Sequence, residues 1–376
     1  MGLHLKDVPT PFFAIDEEAL AKNLAILGRV QDESGAKILL AQKAFSNFAL
    51  YPMIGQVLAG TTASGLYEAR LGHEEMGKET HIFSPAYQER DFDEILKYVD
   101  HLSFNSFAQW EQFGPRALAA GKSCGLRINP DHSTQDGGIY DPCAPGSRLG
   151  ILKKEVLGKN LRGIEGLHFH TLCEQGFDAL QETLDAFLDQ FGEYLPLMRW
   201  LNLGGGHHIT RADYDVDALI NCVQVLSRTY GLQIYLEPGE AVVLNAGTLT
   251  ASVVDIVHNE IDIAILDTSA ACHMPDVIEM PYRPPLANSG NPHEKKHTYR
   301  LAGPTCLAGD VIGDYSFDAP LQPGDRLIFG DMALYTMVKT NTFNGMPLPT
   351  ILSGKPSEDD WRVLRAFGYE NFKGRL

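Results

Sequence analysis

The sequence predicts an α/β protein, a (β/α)8 barrel of the TIM type followed by a second, mainly β domain. Eight short apolar or β-rich runs recur at regular intervals, most with helix-like segments between them, and that alternation implies parallel β-α units. The eight units fill about 230 residues, the size of one closed barrel. After Glu240 the texture changes to β-rich runs separated by Pro, Gly and Asn clusters. A doubly wound open sheet has the same alternation as a barrel, and periodicity does not separate the two.

The elements follow in order. Pro11–Ile15 is a strand that precedes the barrel and is expected to pair with the second domain. Glu17–Val30 places apolar residues three and four apart and predicts a helix. Strand Lys37–Gln42, helix Asn47–Leu58, strand Thr61–Ser64 and helix Leu66–Gly77 come next. Strand His81–Ser84, helix Glu89–Tyr98 and strands His101–Asn105, Cys124–Ile128 and Ile164–His170 follow. Helix Phe177–Tyr194 and strands Trp200–Leu203 and Gln233–Glu237 complete the set. The second domain is read from Ala241–Val257, Ile261–Leu266, Tyr299–Leu301 and Arg326–Ile328, with Pro281–Pro292 among its breaks. The expected boundaries are residues 18–242 for the barrel and 1–17 plus 243–376 for the β domain. The Asp-, Gly- and Pro-rich segment Pro130–Gly146 is a candidate lid on composition.

Among 376 residues, 31 Lys and Arg face 48 Asp and Glu, a net charge of -17. This argues against nucleic-acid binding, which needs clustered cations, and suits a cationic small molecule. No run approaches 18 consecutive apolar residues, so no membrane span is expected. The first ten residues lack a basic region followed by an apolar run, so no signal peptide is expected. Six cysteines form no C-x-x-C pair and read as free thiols of a cytoplasmic protein.

In a barrel of this kind, chemistry collects at the C-terminal ends of the strands. The first barrel strand runs into Lys43, where burial would lower the amine pKa and yield a neutral nucleophile. The sixth ends in Leu167-His168-Phe169-His170. With Cys173 and the His207-His208 pair these rings suggest a metal, but they form no compact ligand motif and none is expected; a ring packed over a flat cofactor explains one His better. The seventh runs into Gly204-Gly205-Gly206, whose backbone N–H groups suit an anion. The eighth ends in Glu237-Pro238-Gly239-Glu240, and Glu237 is placed to hold a proton on a ring nitrogen. An amine, a stacking ring, an anion cradle and a carboxylate are the parts that a pyridoxal 5′-phosphate (PLP) site needs.

On these motifs the chain resembles the fold-type III PLP enzymes, the alanine racemase and ornithine/diaminopimelate decarboxylase group, over nearly its whole length. Lys43 resembles the family's Schiff-base lysine. His170 resembles the histidine of an H-x-G-S segment that stacks on the pyridine ring, although the segment here reads HTLCE. Gly204–Gly206 matches the phosphate-binding GGG, and Glu237 with Gly239 matches the EPG motif. Gly303-Pro304-Thr305-Cys306 with Asp310 resembles a segment that enters the partner subunit's site. Tyr335, ahead of Phe343-Asn344-Gly345, matches a tyrosine that reaches the phosphate. The resemblance therefore implies a homodimer, with Cys306 as the proton donor.

Within the group, residues 140–150, residues 272–284 and the EPGE at 237–240 are most similar to the carboxynorspermidine/carboxyspermidine decarboxylases of polyamine biosynthesis. Related amino-acid decarboxylases usually carry Arg where this chain has Glu240. Arg suits a carboxylate or phosphate, whereas Glu attracts an ammonium. Glu240 and Asp276 are thus expected to hold the ammonium groups of a carboxylated polyamine, with Asp310 and Arg148 as further substrate contacts. Leu307, where ornithine decarboxylase has an Asp after its Cys, argues against a short diamine-type substrate.

Three other readings are distinguishable. A diaminopimelate or other basic amino-acid decarboxylase would want Arg at 240. Single-domain PLP-binding barrels lack the GPTC segment and Tyr335. A racemase needs a donor on each face of the substrate, and no second-face tyrosine can be assigned.

Overall fold

The computed structural model describes residues 3–135 and 139–376. Residues 136–138 of the candidate lid segment lie outside the described residues. The chain divides into two compact units: Asn23–Val242, and the N-terminal residues through Lys22 together with Val243–Leu376. Strand β1 (Phe12–Asp16) belongs to the second unit.

The first unit is a closed eight-stranded barrel, which settles the choice between barrel and open sheet. Its strands are β2 (Lys37–Ala41), β3 (Gly60–Ala63), β4 (Glu79–Phe83), β5 (His101–Phe104), β6 (Ser123–Arg127), β7 (Gly166–His168), β8 (Trp200–Asn202) and β9 (Gln233–Leu236). Each pairs in parallel with the next, and β9 closes on β2. All eight expected runs become these strands, because a strand buried on both faces shows itself as a short apolar run.

Helices Phe107–Ala119 and Val216–Tyr230 start at side-chain caps, where Gln109 N–H donates to Ser106 Oγ and Ala218 N–H to Asp215 Oδ1. Two expected helices are broken. Residues 47–58 form a 3-10 turn and a short helix, Tyr51–Ile54. The next helix, Leu66–Leu71, widens into a π turn over Gly72–Met76. A Cβ at Gly72 would lie 2.2 Å from Thr61 Oγ1, so the helix presses on β3 at that residue.

The N-terminal half of the barrel is plugged by aromatic rings. A Cβ at Gly125 or Gly166 would lie 2.3 or 2.0 Å from the Trp200 indole, so these glycines make the room that Trp200 fills. Beneath it, Glu79 accepts hydrogen bonds from Lys37 (2.7 Å) and Tyr235 (2.7 Å) and contacts His81 Nε2 at 2.8 Å. His101 stacks on His81 with ring centroids 4.1 Å apart. Burial, aided by His81, pushes His101 down to about 3.

The second unit is an eight-stranded mixed sheet. Its further strands are β10 (Gly247–Asn259), β11 (Ile261–Leu266), β12 (His297–Ala302), β13 (Val311–Phe317), β14 (Arg326–Gly330), β15 (Thr350–Lys355) and β16 (Asp360–Arg365). The order is β13-β12-β11-β10-β1-β15-β16, with β14 also on β10. As expected, β1 pairs within this unit, antiparallel to β10 and parallel to β15. The expected strand Ala241–Val257 needs correction, since Glu240–Val243 is helical and the strand begins at Gly247. Asn245, at φ 55°, makes the break, and its N–H donates to Asp331 Oδ1.

Glu79 generates a pH prediction. Burial would raise its carboxyl, but His81, Lys37 and the Tyr235 hydroxyl together hold it well below the ordinary range. A carboxyl depressed on folding stabilises the protein above its unfolded pKa, and that contribution is lost as pH falls. Glu79→Gln is therefore expected to cost about 1–3 kcal/mol at neutral pH. It should also flatten the fall in stability below about pH 4.5, the ordinary carboxyl value, read by denaturant unfolding at about pH 6 and about pH 3.

Candidate active site

The C-terminal mouth of the barrel gathers Lys43, Thr62, Ser64, Phe83, Arg127, His168, His170 and Glu237 around one open cleft. Three of the residues expected from the sequence thus converge. The Lys43 side chain stands in the opening, accessible to solvent but ringed by protein, and its Nζ lies 3.5 Å from His170 Nε2. Burial of the amine and the nearby Arg127 cation lower its pKa, partly offset by Glu237 and Glu68. The lowered pKa favours the neutral form of the amine, the form that attacks a carbonyl.

His170 is fixed at both ends. Its Nδ1 accepts the Gly205 N–H at 3.0 Å, which leaves the ring proton on Nε2, facing Lys43. Its carbonyl accepts from Arg127 Nη2 at 3.1 Å. Burial, with Lys43 and Arg127 close by, holds the imidazole far below its usual pKa, so it is neutral.

The glycine loop is tightly wedged. A Cβ on Gly204 would lie 2.4 Å from the Phe169 carbonyl oxygen, one on Gly205 2.1 Å from that of Glu237, and one on Gly206 1.8 Å from that of Leu172. Gly204 and Gly206 also have left-handed φ of 70° and 83°. Gly204 N–H donates to Asn202 Oδ1 and Gly205 N–H to His170. The Gly206 amide has no such partner among the described residues, so of the three it is the one left to meet an anion.

Glu237 sits at the end of β9 with little exposure. Asn202 Nδ2 donates to its Oε1 at 2.7 Å, and that amide cannot turn round because its own Oδ1 holds Gly204 N–H. Burial alone would raise the Glu237 carboxyl. His168, His81 and hydrogen bonds from Asn202 and Thr62 outweigh burial and keep it below the ordinary carboxylate range. Gly239 lets this turn close on the segment that follows β2, since a Cβ there would lie 2.5 Å from that of Ala44.

Several residues important here were not singled out from the sequence. Arg127 is buried, with its guanidinium over the Phe83 ring at 4.3 Å, and burial lowers it to about 10, so it stays charged. Glu68, whose Oε2 accepts Ser64 N–H at 2.6 Å, is raised by burial and lies near Lys43. The register pairs Arg127 with His168 and His168 with Asn202, so three neighbouring strands present polar groups at one level. That ring of polar residues inside apolar strands was the readable signal.

The remaining expected residues are placed as follows. Glu240 contacts His208 Nε2 at 2.7 Å. Arg148 is exposed, and its carbonyl accepts from Asn105. In the sheet unit, Asp276 pairs with Lys339, which also meets Glu279 at 2.7 Å. Cys306 is exposed, and its N–H donates to Asn344 Oδ1 at 2.8 Å. Asp310, expected to contact substrate, is buried and accepts from Ser269 Oγ, Thr305 Oγ1 and Ala271 N–H, which fixes the loop bearing Cys306. Tyr335 adopts a left-handed φ of 44°, a costly conformation for a non-glycine residue. Among the described residues, the one cluster of three metal-ligating groups is Glu79, His81 and His101, at the N-terminal ends of β4 and β5, with Lys37 already on its carboxylate.

The family model described as pyridoxal-dependent decarboxylase, C-terminal sheet domain, matches residues 12–333. A carboxynorspermidine/carboxyspermidine decarboxylase of Campylobacter jejuni is 43% identical over 379 residues, covering 98% of each chain. A carboxyaminopropylagmatine decarboxylase of Synechocystis is also 43% identical, covering 99% of this chain and 96% of the relative. The crystal structure of carboxynorspermidine decarboxylase from Campylobacter jejuni, complexed with norspermidine, superposes with a TM-score of 0.91 at 42% identity. It covers 98% of this chain and 100% of that one.

The wedged loop makes a stability prediction. Gly206→Ala combines a left-handed φ with the Leu172 clash and should destabilise the protein by more than about 2 kcal/mol, seen as a lower Tm.

Proposed function

The chain belongs to the pyridoxal-dependent decarboxylase family, and on that footing we propose that it releases CO2 from carboxynorspermidine or carboxyspermidine, giving norspermidine or spermidine in polyamine biosynthesis. The observation that carries the substrate reading is the acid at 240. A diaminopimelate-type substrate ends in a second carboxylate, which Glu240 would repel, whereas a carboxylated polyamine ends in ammonium groups. In this reading Glu240, held by His208, receives one of these. Asp276, already balanced by Lys339, and the exposed Arg148 are further proposed contacts.

The residues present fit pyridoxal 5′-phosphate. The cradle closes so tightly that no side chain larger than hydrogen fits at Gly204–Gly206, and the Gly206 amide and Tyr335 are proposed to take the phosphate. His170 supplies a neutral, fixed ring beside Lys43. Glu237 supplies a buried anion for a pyridinium nitrogen. When bound, the cofactor supplies an aldehyde for amines and a ring that draws off the electron pair released as CO2 departs.

The chain's own residues do the rest. Lys43 would hold the cofactor through Nζ, and its lowered pKa favours the neutral amine that such a bond requires. Glu237, kept ionised, would hold a proton on the ring nitrogen. His170, fixed by Gly205, would limit movement of the ring. The Cys306 thiol then gives its proton to the substrate α-carbon, supplied by the second copy of a homodimer, with Asp310 and Asn344 holding its loop in place. The six unbonded cysteines suit a reducing compartment, and the cytoplasm is the proposed location.

A second reading is as well favoured by similarity, since the Synechocystis relative is named for carboxyaminopropylagmatine. That substrate ends in a guanidinium, which an acid at 240 also suits. CO2 release is therefore compared for carboxynorspermidine, carboxyspermidine, carboxyaminopropylagmatine and meso-diaminopimelate. Preference for the first two supports the proposal, preference for the third replaces it, and preference for the last overturns the role of Glu240. Lys43→Ala is expected to abolish turnover and the visible absorbance of bound cofactor. Cys306→Ala should keep that absorbance and lose turnover. Glu240→Arg should lower kcat/KM for the preferred substrate about ten- to hundredfold with cofactor binding retained.

A further inference from the structure

His168 stands beside the site without a part in the chemistry above. It is 2% exposed, and neither ring nitrogen has a hydrogen-bond partner among the described residues. Leaving such a group unpaired costs about 1–3 kcal/mol, and an apolar ring would pack equally well against the Phe83 edge that meets it at 5.8 Å. One nitrogen is nevertheless aimed at a carboxylate. His168 Nε2 lies 3.5 Å from Glu237 Oε2, while Asn202 holds the other oxygen, Oε1.

We propose that His168 is a positioning residue for the cofactor ring, its Nε2–H being the donor to Glu237 Oε2 that complements Asn202 on Oε1. At 3.5 Å the contact is longer than a hydrogen bond, and such contacts tighten once a site is loaded. The charged and titratable groups around His168 are Glu237, Arg127, His81 and Lys43. Burial pushes the ring down to about 4, and Arg127 and Lys43 oppose a second proton, although Glu237 favours one. The ring is therefore neutral with a single N–H, and the carboxylate beside Nε2 selects the tautomer that donates to it. A buried carboxylate stays ionised only if its oxygens are supplied with donors. His168 provides this from β7 and Asn202 from β8, so the two strands share the anion.

The inference rests on Glu237 serving the cofactor's ring nitrogen, and the test separates the two. Nitrogen-15 NMR of histidine-labelled apoenzyme, assigned with His168→Gln, should show a neutral ring with its proton on Nε2 near neutral pH. A proton on Nδ1 alone overturns the inference whatever the cofactor does. In the holoenzyme, His168→Leu should weaken cofactor binding about tenfold and move the pH titration of its visible band, while His168→Gln, which keeps an N–H donor, restores both. Equal losses in Leu and Gln variants, with the titration unmoved, would mean a packing role only. If Glu237→Gln leaves the cofactor spectrum unchanged, the reading of Glu237 itself fails.

Discussion

A carboxylate buried at the head of a closed barrel has to be kept charged, and much of the barrel mouth is built around that demand. Glu237 leaves water for a site where burial works against its charge. The response is an ordered set of donors. Asn202 reaches one oxygen, and its amide is locked by the backbone of the glycine loop. The same loop locks His170 through the next amide. Charge on the carboxylate, tautomer of the imidazole and path of the anion loop are thus three consequences of one hydrogen-bonded unit.

The opposing charges are arranged with equal care. Arg127 remains a cation in the interior by resting on Phe83 and on the His170 carbonyl. Its field and the burial around the cleft hold the Lys43 amine down, while Glu237 pulls the other way. The cleft therefore keeps a buried anion, a buried cation and a lysine whose pKa is lowered between them.

The eight barrel strands could be read from sequence because each is an apolar run, buried on both faces. The sheet unit was less legible. Strands such as β16, with the pattern exposed–buried–exposed, carry little apolar signal. Ala241–Val243 is as buried as a strand would be, and a short buried run does not distinguish strand from helix. Lys43, His170, the glycines and Glu237 stood out because they sit just past strand ends. Arg127, Asn202 and Glu68 did not, because their importance depends on what lies across the barrel from them. The pairings of Glu240 with His208 and of Asp276 with Lys339 were hidden for the same reason, and they change the meaning of both acids from free charges to partnered ones.

The ionisation of Glu237 is the claim on which the rest depends, and infrared difference spectroscopy reads it directly. Spectra of the apoenzyme are compared with those of Glu237→Gln while pH is lowered from neutral towards the ordinary carboxylate value of 4.5. The structure predicts that no protonated-carboxyl stretch belonging to Glu237 appears over that range. A carbonyl band present at neutral pH and missing from the Gln variant would show a neutral acid there, and would contradict the account.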